Sequence, residues 1–158
     1  MTFLARVLAV GLSRNAVRWP RQLADQLAAA LADAPVRAYK QGGHLHHPRE
    51  GDHVDVDLRG RIGHVTSATA TEAAVWASVD NSDEEMVEGL LTLERQRRLA
   101  RTIGVSISAD IFVCPTVELG RPVRLVTRIR GVRALDLVSF PSADDALLKS
   151  LDSRAIAP

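Results

Sequence analysis

The chain predicts an α+β domain, a β-rich, partly closed barrel of mainly antiparallel strands with two to three helices. Three observations predict it. Runs of Val, Ile, Leu and Ala with strand-like alternation recur along most of the 158 residues. Only two longer stretches and one short patch have helical character. No internal repeat or linker divides the chain, and its length suits one domain with an adequate core. That domain is expected over residues 1–145, with a loose C-terminal tail over 146–158.

The elements follow in order. Phe3 to Leu12 reads as a strand, because Arg6 interrupts the apolar run and no basic leader marks a signal peptide. It ends at the polar turn Ser13-Arg14-Asn15. Trp19-Pro20 opens a helix to about Ala32, with Leu23, Leu27 and Leu31 spaced i, i+4, i+8 on one face. Pro35 stops it, and Val36 to Tyr39 reads as a strand. Residues 40–53 read as a loop built on Gly42, Gly43, Pro48 and Gly51. Alternation marks 53–58 as a strand, with Ile62 to Val65 and Ala73 to Val79 as further strands. Ser82 caps a helix to about Arg101, with Glu84 and Glu85 in its first turn. Strands are expected at 103–113, 123–130 and 134–140, then a helical patch from Asp144 to Leu151.

Composition narrows the function classes. Hydrophobic residues make up 46% and charged ones 25%, as in ordinary globular domains. A net charge of +1 gives no global field that would call for nucleic acid or a membrane as partner. No apolar run approaches the roughly 20 residues of a membrane span. The single cysteine, Cys114, precludes an internal disulfide and fits a reducing compartment, so a cytoplasmic protein is expected. There is no P-loop, dinucleotide glycine motif or Cys-x-x-Cys, and no cofactor is expected.

The segment most loaded with chemistry is Ile103-Gly104-Val105-Ser106-Ile107-Ser108. In a strand, Ile103, Val105 and Ile107 share one face, and Gly104, Ser106 and Ser108 the other. A serine on a rigid strand suits nucleophilic attack on an extended peptide laid beside it. Ser106 and Ser108 are equivalent by this pattern, and an ordinary strand serine is the plainer alternative. A serine nucleophile needs a base, and the histidines are His44, His46, His47, His53 and His64. Four of them lie in or beside the loop at 40–53. They admit a serine-hydrolase base, a metal site of His44 and His46 with Asp55 or Asp57, or a solvated loop. Asp136, flanked by Leu135 and Leu137, is costly to bury without a partner: it orients an imidazole, pairs with an arginine such as Arg130 or Arg133, or faces water from an edge strand. Arg95, Arg97, Arg98 and Arg101 are offset by Glu84, Glu85, Glu88 and Glu94 and lack interleaved aromatics, which describes a solvated helix face. Cys114 before Pro115 reads as structural.

Four pieces, in this order, resemble the prohead (capsid maturation) serine proteases of tailed bacteriophages, relatives of the herpesvirus assembly proteases. Gly11-Leu12-Ser13-Arg14-Asn15 with Trp19-Pro20 is similar to that family's strand-turn-helix opening. His47-Pro48, then Arg61-Ile62-Gly63, resembles its histidine before a proline and a later hydrophobic-Gly strand. Ile103-Gly104-Val105-Ser106-Ile107 is similar to its nucleophile strand. Leu135-Asp136-Leu137-Val138-Ser139-Phe140-Pro141-Ser142-Ala143 resembles its closing segment. Ser142 departs from the alanine common there. Together they cover roughly residues 5–145.

The resemblance implies a herpesvirus assembly protease-like fold. It implies Ser106 as nucleophile, His47 as general base with His46 the alternative, and Asp136 as third member. It also implies an endopeptidase that cuts scaffold and major capsid protein inside the immature capsid, in the host bacterial cytoplasm. Self-cleavage and self-association are further expectations, and arginines on the 123–130 strand are candidates to stabilise the oxyanion. Two other readings stand beside it: a catalytically silent capsid-assembly or scaffold-binding module, and a His/Asp metal-dependent hydrolase.

Overall fold

A computed structural model describes residues 2–13, 15–41, 44–45, 47–48, 59–82, 85, 104–138 and 148–150. The strands are β1 (Thr2–Ala9), β2 (Gly11–Leu12), β3 (Val17–Trp19), β4 (Pro35–Ala38), β5 (Lys40–Gln41), β6 (His44–Leu45), β7 (Arg61–Ala70), β8 (Ala74–Asn81), β9 (Gly104–Glu118), β10 (Arg121–Val138) and β11 (Leu148–Ser150). β5 and β6 pair as a separate small hairpin. The others form a nine-stranded sheet that runs β11-β1-β8-β7-β4-β10-β3-β2, with β9 on β10, and curls into a half-barrel.

Pairing is antiparallel except where β10 meets β3 and β4, both parallel. This 18-residue strand is long enough to meet both, β3 at Arg124–Leu125 and β4 at Leu135–Leu137. Its pairing with β9 slips at Val126/Arg128, Ile129/Gly131 and Val132/Ala134. Each slip adds twist and turns the strand. The separate strands expected at 123–130 and 134–140 are therefore one element, with Gly131 inside it at a slip.

A 3-10 turn (Arg21–Leu23) leads into the helix α1 (Ala24–Ala30), which packs on β7, β8 and β10. Leu23, Leu27 and Leu31 are buried as the expected stripe, with Phe3, Val36, Val65, Val79, Val105 and Leu135 around them. Burying each such side chain contributes roughly 1.5–3 kcal/mol.

Several boundaries differ from those expected. The first strand breaks at Val10, because Gly11 takes a φ of 117°, which only glycine adopts without strain, and sends the chain to pair with β3. Trp19, expected to open the helix with Pro20, instead ends a strand, Val17–Trp19. The loop at 40–53 contains the β5–β6 hairpin. β7 continues to Ala70, against an expected end at Val65, because its pairing with β8 runs on to Val75. In place of a helical patch, Leu148–Ser150 pairs with β1, so the sheet reaches past residue 145. Among the described residues α1 is the one α-helix with defined bounds. The strand expected at 53–58 and nearly all of the helix expected from Ser82 to Arg101 lie outside the described residues.

Two local features carry predictions. A Cβ on Gly63 would sit 2.3 Å from the Asp80 carbonyl oxygen and 2.8 Å from Asn81 Cα, both backbone atoms of the paired strand. Gly63→Ala should therefore cost about 1–3 kcal/mol by forcing β7 and β8 apart, read as a lowered denaturation midpoint. The β9–β10 hairpin turns through Leu119 at φ 48° and Gly120 at φ 74°. Two positive φ values suit an Asn-Gly pair better than Leu-Gly, and Leu119 is fully exposed. Leu119→Asn should raise stability by about 1 kcal/mol, a gain of a few degrees in Tm. Beside this turn Arg18 forks onto Glu118 through Nε and a terminal nitrogen. That hydrogen bonding holds the Glu118 carboxyl below its ordinary range, with burial opposing.

Candidate active site

Strand register places the first three side chains of the site. Ser106 on β9 lies directly across from Asp136 on β10, and Asp136 lies in register with Arg37 on β4. Directly opposed residues point to the same sheet face with Cβ atoms roughly 5 Å apart. Ser106, Asp136 and Arg37 thus form a row across three neighbouring strands. Leu135, Leu137 and Val105, one position off in β10 and β9, are fully buried.

Asp136 and Arg37 are both 0% exposed. Arg37 Nε donates to Asp136 Oδ1 at 2.7 Å, and a terminal guanidinium nitrogen donates to Oδ2 at 3.0 Å. This is the bidentate geometry that makes an Arg–carboxylate pair tolerable in a core, where either partner alone would leave an uncompensated charge. An arginine such as Arg130 or Arg133 was one of the partners considered for Asp136. The structure corrects this: Arg130 reaches exposed Asp110 at 3.6 Å, and the carboxylate belongs to Arg37. Arg37 lies 99 residues away in sequence and carries no local signal beyond being a charged residue in an apolar strand.

His47 completes the row from above. Leu45 anchors the preceding hairpin in the core and Pro48 is buried behind it, so the imidazole is held between two fixed points. A residue before proline is confined to extended conformations, which further limits the backbone of His47. Its Nδ1 lies 2.6 Å from Asp136 Oδ2 and its Nε2 2.9 Å from Ser106 Oγ. A carboxylate that accepts from Nδ1–H leaves Nε2 as an acceptor facing the serine hydroxyl. The His47 side chain is 45% exposed, so the Ser106 end is open while the Asp136 end is closed. Arg37, Asp136, His47 and Ser106 form one continuous chain of hydrogen bonds from the core to the surface.

The other expected residues fall elsewhere. Ser108 sits opposite Ala134, one pleat further from the imidazole that meets Ser106. His46, His53, Asp55 and Asp57, and with them most of the metal reading, lie outside the described residues, as do Arg95, Arg97, Arg98 and Arg101. Among the described residues no group of three His, Cys, Asp or Glu side chains is placed to hold a metal ion. Cys114 is a free, exposed thiol far along β9 from the serine.

A cavity of about 220 Å³ opens beside Ser106 and His47. Val7, Leu8, Val17, Trp19, Ile107, Ala109 and Ile111 form its apolar walls. Asn15, in the turn between β2 and β3, and Arg124 on β10 add polar groups to the lining. The Ser13 hydroxyl accepts from Val17 N–H and donates to the Asn15 side chain, which fixes that turn. No known protein family, curated protein or solved structure matches this chain.

Proposed function

We propose that the protein is a serine endopeptidase in which Ser106 is the nucleophile, His47 the general base and Asp136 the residue that orients the imidazole. The observation that carries this reading is the unbroken Asp136–His47–Ser106 hydrogen-bonded chain, assembled from three distant segments at the mouth of a cavity. A hydroxyl is a weak nucleophile until a positioned base accepts its proton, and the 2.9 Å contact supplies that base. Ser106 Oγ attacks the scissile carbonyl carbon as its proton passes to His47 Nε2. Asp136 stabilises the resulting imidazolium through Nδ1. Collapse of the tetrahedral intermediate breaks the C–N bond, and His47 returns the proton to the departing amine. Water, deprotonated by His47 in turn, then attacks the Ser106 ester and releases the acid.

Among the described residues β9 pairs with β10 alone. Its other flank beside Ser106 favours an extended peptide as substrate, since a strand edge offers backbone donors and acceptors to an added strand. The resemblance to prohead proteases extends the proposal. The substrates are then segments of scaffold and capsid proteins, and the setting is an immature shell in a bacterial host. Among the described residues no helix is long and apolar enough to cross a membrane.

Labelling by a fluorophosphonate, followed by intact mass and peptide mapping, tests the chemistry without knowledge of the substrate. One adduct on Ser106 is expected. A chain that stays unmodified while folded would replace this reading with that of a silent assembly module.

A further inference from the structure

We propose that the distal half of the β9–β10 hairpin docks an acidic, apolar-bearing segment of a partner protein as an added strand on the open edge of β9. The inference goes beyond the peptidase reading and does not depend on it. Among the described residues five large apolar side chains are exposed, and four of them, Phe112, Val113, Val117 and Leu119, belong to this hairpin. The fifth, Leu12, lies at the same end of the sheet, since register aligns Leu12, Arg18, Leu125 and Cys114 across β2, β3, β10 and β9. Exposed apolar side chains gathered in one place mark an interaction surface, whereas scattered ones need no explanation. Leu119 is the most telling. With φ at 48° its position in the turn favours asparagine, yet a fully exposed leucine occupies it. Stability does not account for that side chain; burial against a partner does.

Charge selects the partner. Residues 109–133 hold five arginines against Asp110 and Glu118, a net charge of +3, although the whole chain nets only +1. Both acids are already paired, Glu118 with Arg18 and Asp110 with Arg130. Arg124 lines the cavity, while Arg121 and Arg128 pair with no carboxylate among the described residues. The Arg128 and Arg130 guanidiniums lie 5.8 and 5.7 Å from the centroid of the Phe112 ring, which holds both on one exposed face. Two cations positioned in advance beside an aromatic ring suit carboxylates interspersed with apolar side chains. On β9, Phe112 and Cys114 project to one face, Val113 and Val117 to the other, and all four are exposed. A chain laid along the free edge thus finds apolar contacts on both faces and backbone partners between them.

Other occupants match this surface less well. A second copy would bring another arginine-rich hairpin against the first. A lipid surface leaves the backbone groups of the open edge unpaired. Single-stranded nucleic acid stacks across several aromatic platforms, where this hairpin offers Phe112 alone.

The test uses a fluorescein-labelled peptide of about 12 residues that alternates valine and glutamate, long enough to span the exposed stretch. Anisotropy titrations of wild type and Ser106→Ala should give the same Kd, and a valine–lysine peptide should bind about 10-fold or more weaker. Hydrogen exchange of the complex should show new protection over residues 110–118. Arg128→Gln, checked for an unchanged melt, should weaken binding roughly 5-fold or more. Leu119→Asn should weaken it as well while melting higher than wild type, a combination that a purely structural role does not produce. Arg61→Gln, at an exposed arginine on β7 outside the hairpin, should leave Kd unchanged. Equal affinity for the lysine peptide, or protection that falls elsewhere, overturns the docking site. So does a peptide that fails to bind, tighter binding of phosphatidylserine vesicles or oligouridylate, or a dimer in sedimentation that Leu119→Asn dissolves. Absence of fluorophosphonate labelling with peptide binding intact removes the peptidase reading alone.

Discussion

Ser106→Ala is expected to keep its melting temperature within about a degree of wild type and to lose hydrolysis by a factor on the order of 10⁴ or more. The size follows from the chemistry: without Oγ there is no acyl-enzyme, and His47 has no hydroxyl to deprotonate. Stability is spared because Ser106 is half-buried and its side chain's contact is to a half-exposed imidazole. Co-expression with a phage scaffold or capsid protein, the proposed substrate class, followed by masses of every species, provides the readout. Fragments that appear with wild type and vanish in Ser106→Ala establish proteolysis and give the cleavage sequence. Ser108→Ala is the control: one pleat away on the same face, beyond the pair that His47 bridges, it should retain the fragments. Fragments persisting in Ser106→Ala would sink the nucleophile assignment.

Arg37→Met is expected to be the most damaging single change in the molecule for stability, costing roughly 3–5 kcal/mol. It leaves Asp136 buried with one of its two carboxylate oxygens stripped of its partner. Arg37→Lys keeps the charge but cannot reproduce the two-point fork, so it should recover part of the stability. On the proposed serine-peptidase reading, Arg37, buried behind Asp136, acts through that carboxylate as a positioning residue for His47. Kinetics should separate this role from a purely structural one. In Arg37→Lys, assayed well below its melting point, kcat should fall about 10-fold or more with KM nearly unchanged. A folded Arg37→Lys with wild-type kcat would confine Arg37 to stability. A Met variant as stable as wild type would contradict the buried-pair account itself.

What was legible in the sequence was what neighbouring residues determine. The Leu23/Leu27/Leu31 stripe is a helix face whatever surrounds it, and it is buried as its spacing requires. The polar turn after the first strand is closed by Ser13, a residue type that bonds its own neighbouring backbone. The alternation around Ser106 depends only on the period of a strand, and β9 carries it. The β-rich, partly closed architecture follows from many such runs. The split expected between 123–130 and 134–140 misleads for the same reason: the local pattern does not show that a bulged strand runs through Gly131 without a break.

The rest is tertiary. Arg37 and Asp136 are 99 residues apart, His47 and Asp136 are 89, and His47 and Ser106 are 59. No local pattern indicates that β10 takes β9 on one edge and β4 on the other in the register that lines up Ser106, Asp136 and Arg37. A shift of one residue would have pointed Asp136 into the Leu135 layer and Ser106 away from His47. Sequence alone determined which residue types were available for acid–base and nucleophilic chemistry, and which strands and helix could bear them. Only the folded sheet decided which arginine neutralises the buried carboxylate and that His47 reaches Ser106, because side chains converge through strand register and curvature, and both are set by contacts between distant segments.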